Sequence, residues 1–599
     1  MKRLFIYFSI LMLSWGCTRD FAGMNIDNSQ FSRSTPEASI LAASRTLVMQ
    51  LGNMNTTRFW DLSHLAIAGS RYDVTDNGFW GNVYQGVLGN LNQVELNYSS
   101  DSAFRNRVQI ARILKAYTYS ILTGIYGPVP RTQANNLDYL SNVLFDNEDS
   151  VYVYALSTLK DAVSKMNASG DKLTYDVIYN GDISRWIKLA NSWRLKIALN
   201  IIENQKLKSL AEEHIRDVMS NESLLIGSES ETAKMPFETV SGNENPYYQK
   251  YIKNNNTWPY NQASTSAGPK MSEFFSTYFR SYSDPRMKAY YDTVPLAYRV
   301  FVTDTLPSIA DDSLRIVQFP IDYLGMPLAN TKLTGWNAFL NAAQGVDLGG
   351  SDQKSYSNVN IAILQATRPF VLMSYAEVLF LKAEAAERGL GGGSAETYYN
   401  QGIAANFSVW GITTGTLNSF MQVDGIKWGT EGNAYWNYLH LVNTKIRTGN
   451  LNKIYAQRWL NYFPDGGFDC WCLQRRTQIW QLPPHTNPGG YSSYSSTPTY
   501  ADIPGRGSYP TTVTTLNPEG YNSGLKLLNA VGGNDFDIYT KLHFAIDDNR
   551  AAKDWNNRSD VAYDNTYLRA TFPFNTWETY LQECVKQKIP LRISQTYKP

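Results

Sequence analysis

The stretch Ala366–Gly411, ATRPFVLMSYAEVLFLKAEAAERGLGGGSAETYYNQGIAANFSVWG, does most to limit what this chain can become. From Leu372 to Arg388, the side chains of Leu372, Ala376, Leu379, Ala383 and Ala386 recur three or four residues apart. That is the period of one helix face, so the spacing predicts a core-facing helix. Glu384 and Arg388 form a favourable i,i+4 pair in its last turn, and Gly389 stands where a left-handed C-cap is wanted. Ser394 can cap a second helix in which Ala395, Tyr398, Tyr399, Ile403, Ala404 and Phe407 repeat the period. Ala383 and Ala386 on one helix, and Gly402 and Ala405 on the other, would let the two backbones approach closely. The unit is a little longer than a tetratricopeptide repeat, and such a unit cannot bury its face alone. The rest of the chain must supply partners.

It offers several. A helical pattern opens at Thr35-Pro36-Glu37, a cap followed by proline in the first turn, and runs to Leu51. Asn53 to Gly81 reads as a loop with Trp60, His64, Arg71, Tyr72, Asp73, Asp76 and Trp80 among polar residues. Helical patterns then cover Asn82–Leu96, Ser102–Ile125, Val151–Met166, Ile183–Ile202 and Leu207–Met219, enough for at least two further antiparallel pairs. From Asn221 to Asn360 the period fades into an irregular region with strand-like runs at Tyr298–Val302 and Arg315–Phe319. Irregular segments of that length are unexpected inside a domain unless they do a job. Ala434–Arg447 and Asn452–Tyr462 form another predicted pair, and Pro464 to Tyr521 reads as loop.

The start of the chain is an address. Lys2 and Arg3 precede the apolar run Leu4–Leu13, too short for a permanent membrane span and suited to a signal peptide over residues 1–16. Leu13-Ser14-Trp15-Gly16-Cys17 resembles a bacterial lipobox, which implies cleavage before Cys17 and its lipidation; the alternative is an ordinary secretory signal with an incidental cysteine. The formal charge of +1 over 599 residues leaves no electrostatic footprint for nucleic acid. Cys470, Cys472 and Cys584 make no disulfide framework, and no histidine stands at zinc-ligand spacing, so buried free thiols are expected at Cys470 and Cys472. No cofactor is implied.

Several stretches together resemble the SusD/RagB family, in its SusD-like branch of nutrient-binding outer-membrane lipoproteins of Bacteroidota. They are Ala111–Tyr117 leading to Tyr126-Gly127-Pro128-Val129-Pro130, Asp284-Pro285-Arg286, Ser374–Val378 with Lys382–Ala385, Tyr399–Ile403, and Gln457-Arg458-Trp459 through Trp471 to Arg475-Arg476-Thr477. Tyr509-Pro510 with Asn517, Asn522 and Thr540-Lys541-Leu542 is similar to the family's C-terminal end, whereas His543-Phe544 departs from its usual aromatic pair. The resemblance implies a mainly α protein: a tetratricopeptide-like helix-pair scaffold with a few short strands and a loop-rich ligand-binding face. On this reading residues 17–34 are a lipidated tether and 35–545 the SusD-like domain, with helix pairs at about 82–220 and 366–462 and a loop-rich insert at about 221–360. Residues 546–599 are a tail of unknown role. The resemblance also implies a cell-surface lipoprotein that binds an oligosaccharide or, as in some members, a peptide. It delivers that ligand to a SusC-like TonB-dependent transporter.

Catalytic signatures are missing from the sequence: there is no HExxH pair, no G-x-S-x-G elbow and no phosphate-cradling glycine loop. Glu377 and Glu384 lie two helical turns apart, ~10 Å by rise, near the upper limit for an inverting glycosidase pair. No loop pocket is expected around Glu377, so ion pairing is the favoured role for both, and the protein reads as no enzyme. A surface glycosidase and a purely structural scaffold are the rivals. Asp535-Phe536-Asp537 could touch calcium but has no EF-hand pattern around it.

Binding needs less machinery. A sugar ring packs its C–H face on an aromatic ring while its hydroxyls need amide and charged partners. With 40 Tyr, 25 Phe and 15 Trp the chain is rich in such rings, and three polar segments present them. Trp258 and Tyr260 flank Pro259 between asparagines; Trp336 and Asn337 follow Tyr323; Arg71 and Asp73 flank Tyr72. Each of these rings could instead be a plug over the core. Trp80 with Tyr84, and Trp186 with Trp193, sit on helical pattern and are expected inside.

Overall fold

The first helix, α1 (Pro36–Met54), starts as its sequence dictates: the Thr35 side chain accepts from the Ala38 amide and Pro36 occupies the first turn. This is a computed structural model that describes residues 34–68, 74, 76–136, 138–139, 142–253, 268–295, 301–307, 314–320, 322–326, 356–430, 449–480, 504–530, 532–535 and 538–546. Next come α2 (77–98), whose middle segment Val83–Gly89 is wound as π-helix, and α3 (Arg105–Tyr126). Gly127, at φ 81°, ends α3 in a conformation that disfavours any side chain. The helices α4 (Glu148–Lys165), α5 (Ile183–Asn200) and α6 (Lys208–Met219) follow, each packed on the one before it. Asn147 caps α4 and Asp182 caps α5 through their side-chain oxygens.

The organising hairpin comes later in the chain but lies within the same stack. Its helices are α7 (Tyr375–Glu387), capped by Ser374, and α8 (Ala395–Val409), capped by Ser394. Gly389 takes φ 69° after the first helix, as the C-cap reading requires. They make close contact with each other, and α7 also packs on α5 and on α9 (Gly449–Asn461). The last long elements are α10 (Gly467–Thr477) and α11 (Pro518–Asn529). Strands are few: β1 (Ala233–Met235) pairs antiparallel with β4 (Phe370–Met373), and β2 (Phe301–Pro307) with β3 (Leu314–Pro320). The protein is mainly α, built of helix pairs, as expected.

Three local readings are corrected. Leu372 does not open the helix: Phe370–Met373 is a strand, because a short continuous apolar run suits either state and the β1 edge was there to pair with it. Part of the expected loop Asn53–Gly81 is helical, with a π turn at Asn55–Phe59 and a further turn at Trp60–Leu62. Part of the expected loop Pro464–Tyr521 is helical too, as α10, a short helix Thr511–Leu516 and the start of α11. Both the 55–62 segment and α10 are buried on nearly all sides, polar residues included, so neither has a wet face to imprint a period on its sequence. The predicted helix Ala434–Arg447 lies outside the described residues; its predicted partner is α9.

The core is unusually aromatic. Trp60, Trp186, Trp193, Trp459, Trp471 and Trp480 are fully buried. Trp80, Trp186 and Trp193 are buried as expected, Trp193 stacking on Tyr117 with ring centroids 3.9 Å apart, while Tyr84, 4.8 Å from Trp80, is partly buried. Cys470 and Cys472 are free and buried, again as expected. Burial pushes both thiols up, Cys472 to about 11, which keeps them protonated and inert. No helix among the described residues is long and apolar enough to cross a membrane.

Candidate functional site

Chain segments that are far apart in sequence meet at one junction. Ile67 and Lys270 exchange backbone hydrogen bonds of 2.8 and 2.9 Å. On the other side of Lys270 the chain bridges to Asn358: Met271 N donates to Ser357 O at 2.8 Å, and Val359 N to Pro269 O at 2.8 Å. Met326 N donates to Met271 O at 2.7 Å, adding a fourth segment. The junction is locked by side chains as well. Lys270 Nζ reaches Asn358 Oδ1 at 2.6 Å while only 1% exposed, and the Tyr291 hydroxyl donates to Leu65 O.

These segments are the feet of the three candidate binding loops. Arg71 and Asp73 follow the 64–68 foot, Trp258 and Tyr260 precede 268–272, and Trp336 and Asn337 lie between 322–326 and 356–360. All six of those residues, and Cys17, lie outside the described residues. Tyr323 is within them, 7% exposed and part of the core cluster. Described residues that border the three candidate segments thus meet at one junction, which spacing alone could not reveal. Isolated bridges such as Ile67–Lys270 involve one residue per strand and so leave no period in the sequence.

The two carboxylates of the central helix are each taken up by neighbours. Glu384 is fully buried and receives Arg476 at 2.6 Å, Arg458 at 2.6 Å and Arg388 at 3.0 Å. Burial alone would raise its pKa, but the guanidiniums of Arg476, Arg388 and Arg458 outweigh that and hold the carboxyl far below the ordinary range. Such a group neither gives nor takes a proton near neutrality, and it cannot touch a substrate. Glu377 pairs with Lys196 at 2.9 Å, and Lys196 also reaches Asp469 at 2.9 Å. No loop pocket is expected around Glu377, yet Glu377 lines a cavity of about 290 Å³. That cavity is walled by β4, α7, the end of α8 and the turn after α9. Asp535 is held by Arg506 at 3.2 Å, the Tyr509 amide at 2.8 Å and the Tyr521 hydroxyl at 3.0 Å, a structural role. No group of three or more metal-ligating side chains occurs among the described residues.

Stacked helix pairs with few strands define a mainly helical scaffold of helix pairs. More narrowly, the chain belongs to the SusD-like family described as "starch-binding associating with outer membrane", whose model matches residues 30–298 and 331–510. Solved structures share the fold. One named as a chitin-binding protein is 22% identical with a TM-score of 0.64, covering 86% of this chain and 100% of its own. A chitin-binding SusD homologue from Flavobacterium johnsoniae is 20% identical, TM-score 0.61, covering 86% and 98%. A SusD homologue from Bacteroides vulgatus is 20% identical, TM-score 0.62, covering 85% and 98%. No curated protein matches the chain.

Proposed function

We propose that the protein is a lipid-anchored lipoprotein of the outer-membrane surface that captures an oligosaccharide and hands it to a SusC-like TonB-dependent transporter. The observation that carries this reading is the family match over 30–298 and 331–510, a family described as starch-binding and associated with the outer membrane. The chitin-binding names of two structural neighbours support carbohydrate as the ligand class. Cys17 is the proposed anchor. Trp258 and Trp336 are the proposed ring platforms, with Tyr260, Asn337, Arg71 and Asp73 as polar partners and Tyr323 in the junction from which their loops leave. Capture and release need no acid or base, and the bonded state of Glu384 agrees with that.

Calorimetric titration of the mature protein with chito- and malto-oligosaccharides tests the reading. Saturable heat with at least one series, and no new reducing ends after long incubation, is expected. Reducing ends that appear with time would make it a glycosidase, and no heat with any glycan would remove carbohydrate as the ligand.

A further inference from the structure

The cavity beside Glu377 shares no residue with the loop junction, and its chemistry is its own. Its volume of about 290 Å³ is at the small end of the range for small-molecule pockets, ~300–1,000 Å³. Leu372, Trp410 and Phe463 give it an apolar wall, and Glu377 and Asp469 give it an acidic end. Most of the charge around it is already cancelled in pairs. Lys234 meets Glu229 at 2.6 Å, and Arg368 grips Asp465 through two bonds of 3.0 and 2.8 Å. Arg458, on α9 beside the site, is committed to Glu384 and to the Tyr462 hydroxyl. Glu377 and Asp469 are the exception, because two carboxylates share the one ammonium of Lys196.

Glu377 itself is only 4% exposed, and its buried Oε1 has the ion pair with Lys196 but no well-formed hydrogen bond. A buried carboxylate oxygen without a donor is costly, and a donor that brings positive charge removes the cost best. Burial, with Asp469 as a like-charged neighbour and Lys196 opposing, raises the Glu377 pKa, which is the same deficit seen from the proton's side. Lys196 lies behind the two carboxylates, 2% exposed, and does not line the cavity.

We propose that this cavity is a binding site for a small organic ammonium, its head between Glu377 and Asp469 and its apolar body against Leu372, Trp410 and Phe463. An anion would meet two carboxylates, and a neutral ligand would leave their surplus charge in place. The acid end therefore selects the cation, and the apolar wall selects an alkyl or aryl amine over a bare metal ion.

Benzylamine, cationic at neutral pH, and benzyl alcohol, its neutral counterpart of similar shape, are the probes, titrated into the full-length mature protein by ligand-observed NMR. The amine is expected to bind at least tenfold more tightly than the alcohol, and Glu377→Gln is expected to abolish that preference. Val409, 54% exposed where it lines the cavity, supplies a variant that leaves the interior alone. Val409→Trp should weaken amine binding without moving the melting temperature. Equal binding of amine and alcohol, or none of either, overturns the proposal, as does a preference that survives in folded Glu377→Gln. Should Glu377→Gln not fold, the amine-to-alcohol ratio on the wild type together with Val409→Trp decides. Oligosaccharide titrations on the same samples are independent of every one of these outcomes.

Discussion

Glu384 pairs with three guanidiniums at the centre of the helix stack, and two of them, on Arg458 and Arg476, are essentially inaccessible to water. Removing the carboxylate takes away the buried counter-ion that those two share, and losing one partner of a buried pair costs about 3–5 kcal/mol. Glu384→Gln should therefore lower the unfolding free energy by about that amount in a urea titration; a loss under 1 kcal/mol would show that the cluster is not the fold's electrostatic centre. A second residue-scale effect sits where the chain's C-terminal described segment clasps α4. Glu148 accepts the His543 amide at 2.9 Å, and His543 Nδ1 meets Asp149 at 2.8 Å. Burial, opposed by His543, raises the Glu148 pKa to about 7 from 4.5. A raised carboxyl pKa means the folded state holds its proton longer than the unfolded state. The stability this group adds is full below about pH 4.5 and is lost as pH rises through about 7. Glu148→Gln, which keeps an acceptor for the His543 amide, should make the melting temperature fall less between pH 5 and pH 8 than in the wild type. An identical slope in both proteins would assign the clasp's pH response to His543, whose pKa is also raised, chiefly by its bond to Asp149.

At the scale of elements, the hairpin α7–α8 depends on one missing side chain. A Cβ placed on Gly402 would lie 2.6 Å from Phe380 Cε1, and Phe380 is fully buried. Gly402→Ala should cost roughly 1–3 kcal/mol by overpacking, despite the better helix propensity of alanine. An unchanged melt would mean that the ring moves and the interface is looser than its geometry indicates. The small residue at Gly402 was legible in the sequence as a close-approach position, but its partner was not: Phe380, rather than Ala383, fills the gap. The same division runs through the chain. A helix with one wet face, such as α6, is readable within a residue or two because burial and exposure alternate along it. In α10 the polar side chains Gln474, Arg475 and Arg476 are buried, so hydropathy carries no period there, and the residues that best mark the family read as loop. The candidate site divides similarly. The aromatic segments could be named from composition, whereas the junction beside them rests on single bridges such as Ile67–Lys270 and Lys270–Asn358, between residues far apart in sequence.

At the scale of the whole molecule, the proposed role of the scaffold is to present the three candidate binding segments from one junction. The anchor can be tested separately: Cys17→Ala should release the protein from membranes into the soluble fraction, and a variant that stays membrane-bound would place the anchor elsewhere. The central claim is that rings on those loops grip a sugar. A preorganised ring loses little entropy on binding, so its removal should weaken affinity and leave stability alone. By analogy with bases stacking on aromatic side chains, worth about 1–3 kcal/mol, Trp258→Ala should cost roughly ten- to a hundredfold in affinity. The deciding measurement is a calorimetric titration of wild type and Trp258→Ala with the oligosaccharide that binds best, beside a melt of each. The account predicts the ten- to hundredfold loss with superimposable melts. Full-strength binding by a variant that melts normally would contradict it, and an early melt would make Trp258 a plug over the core.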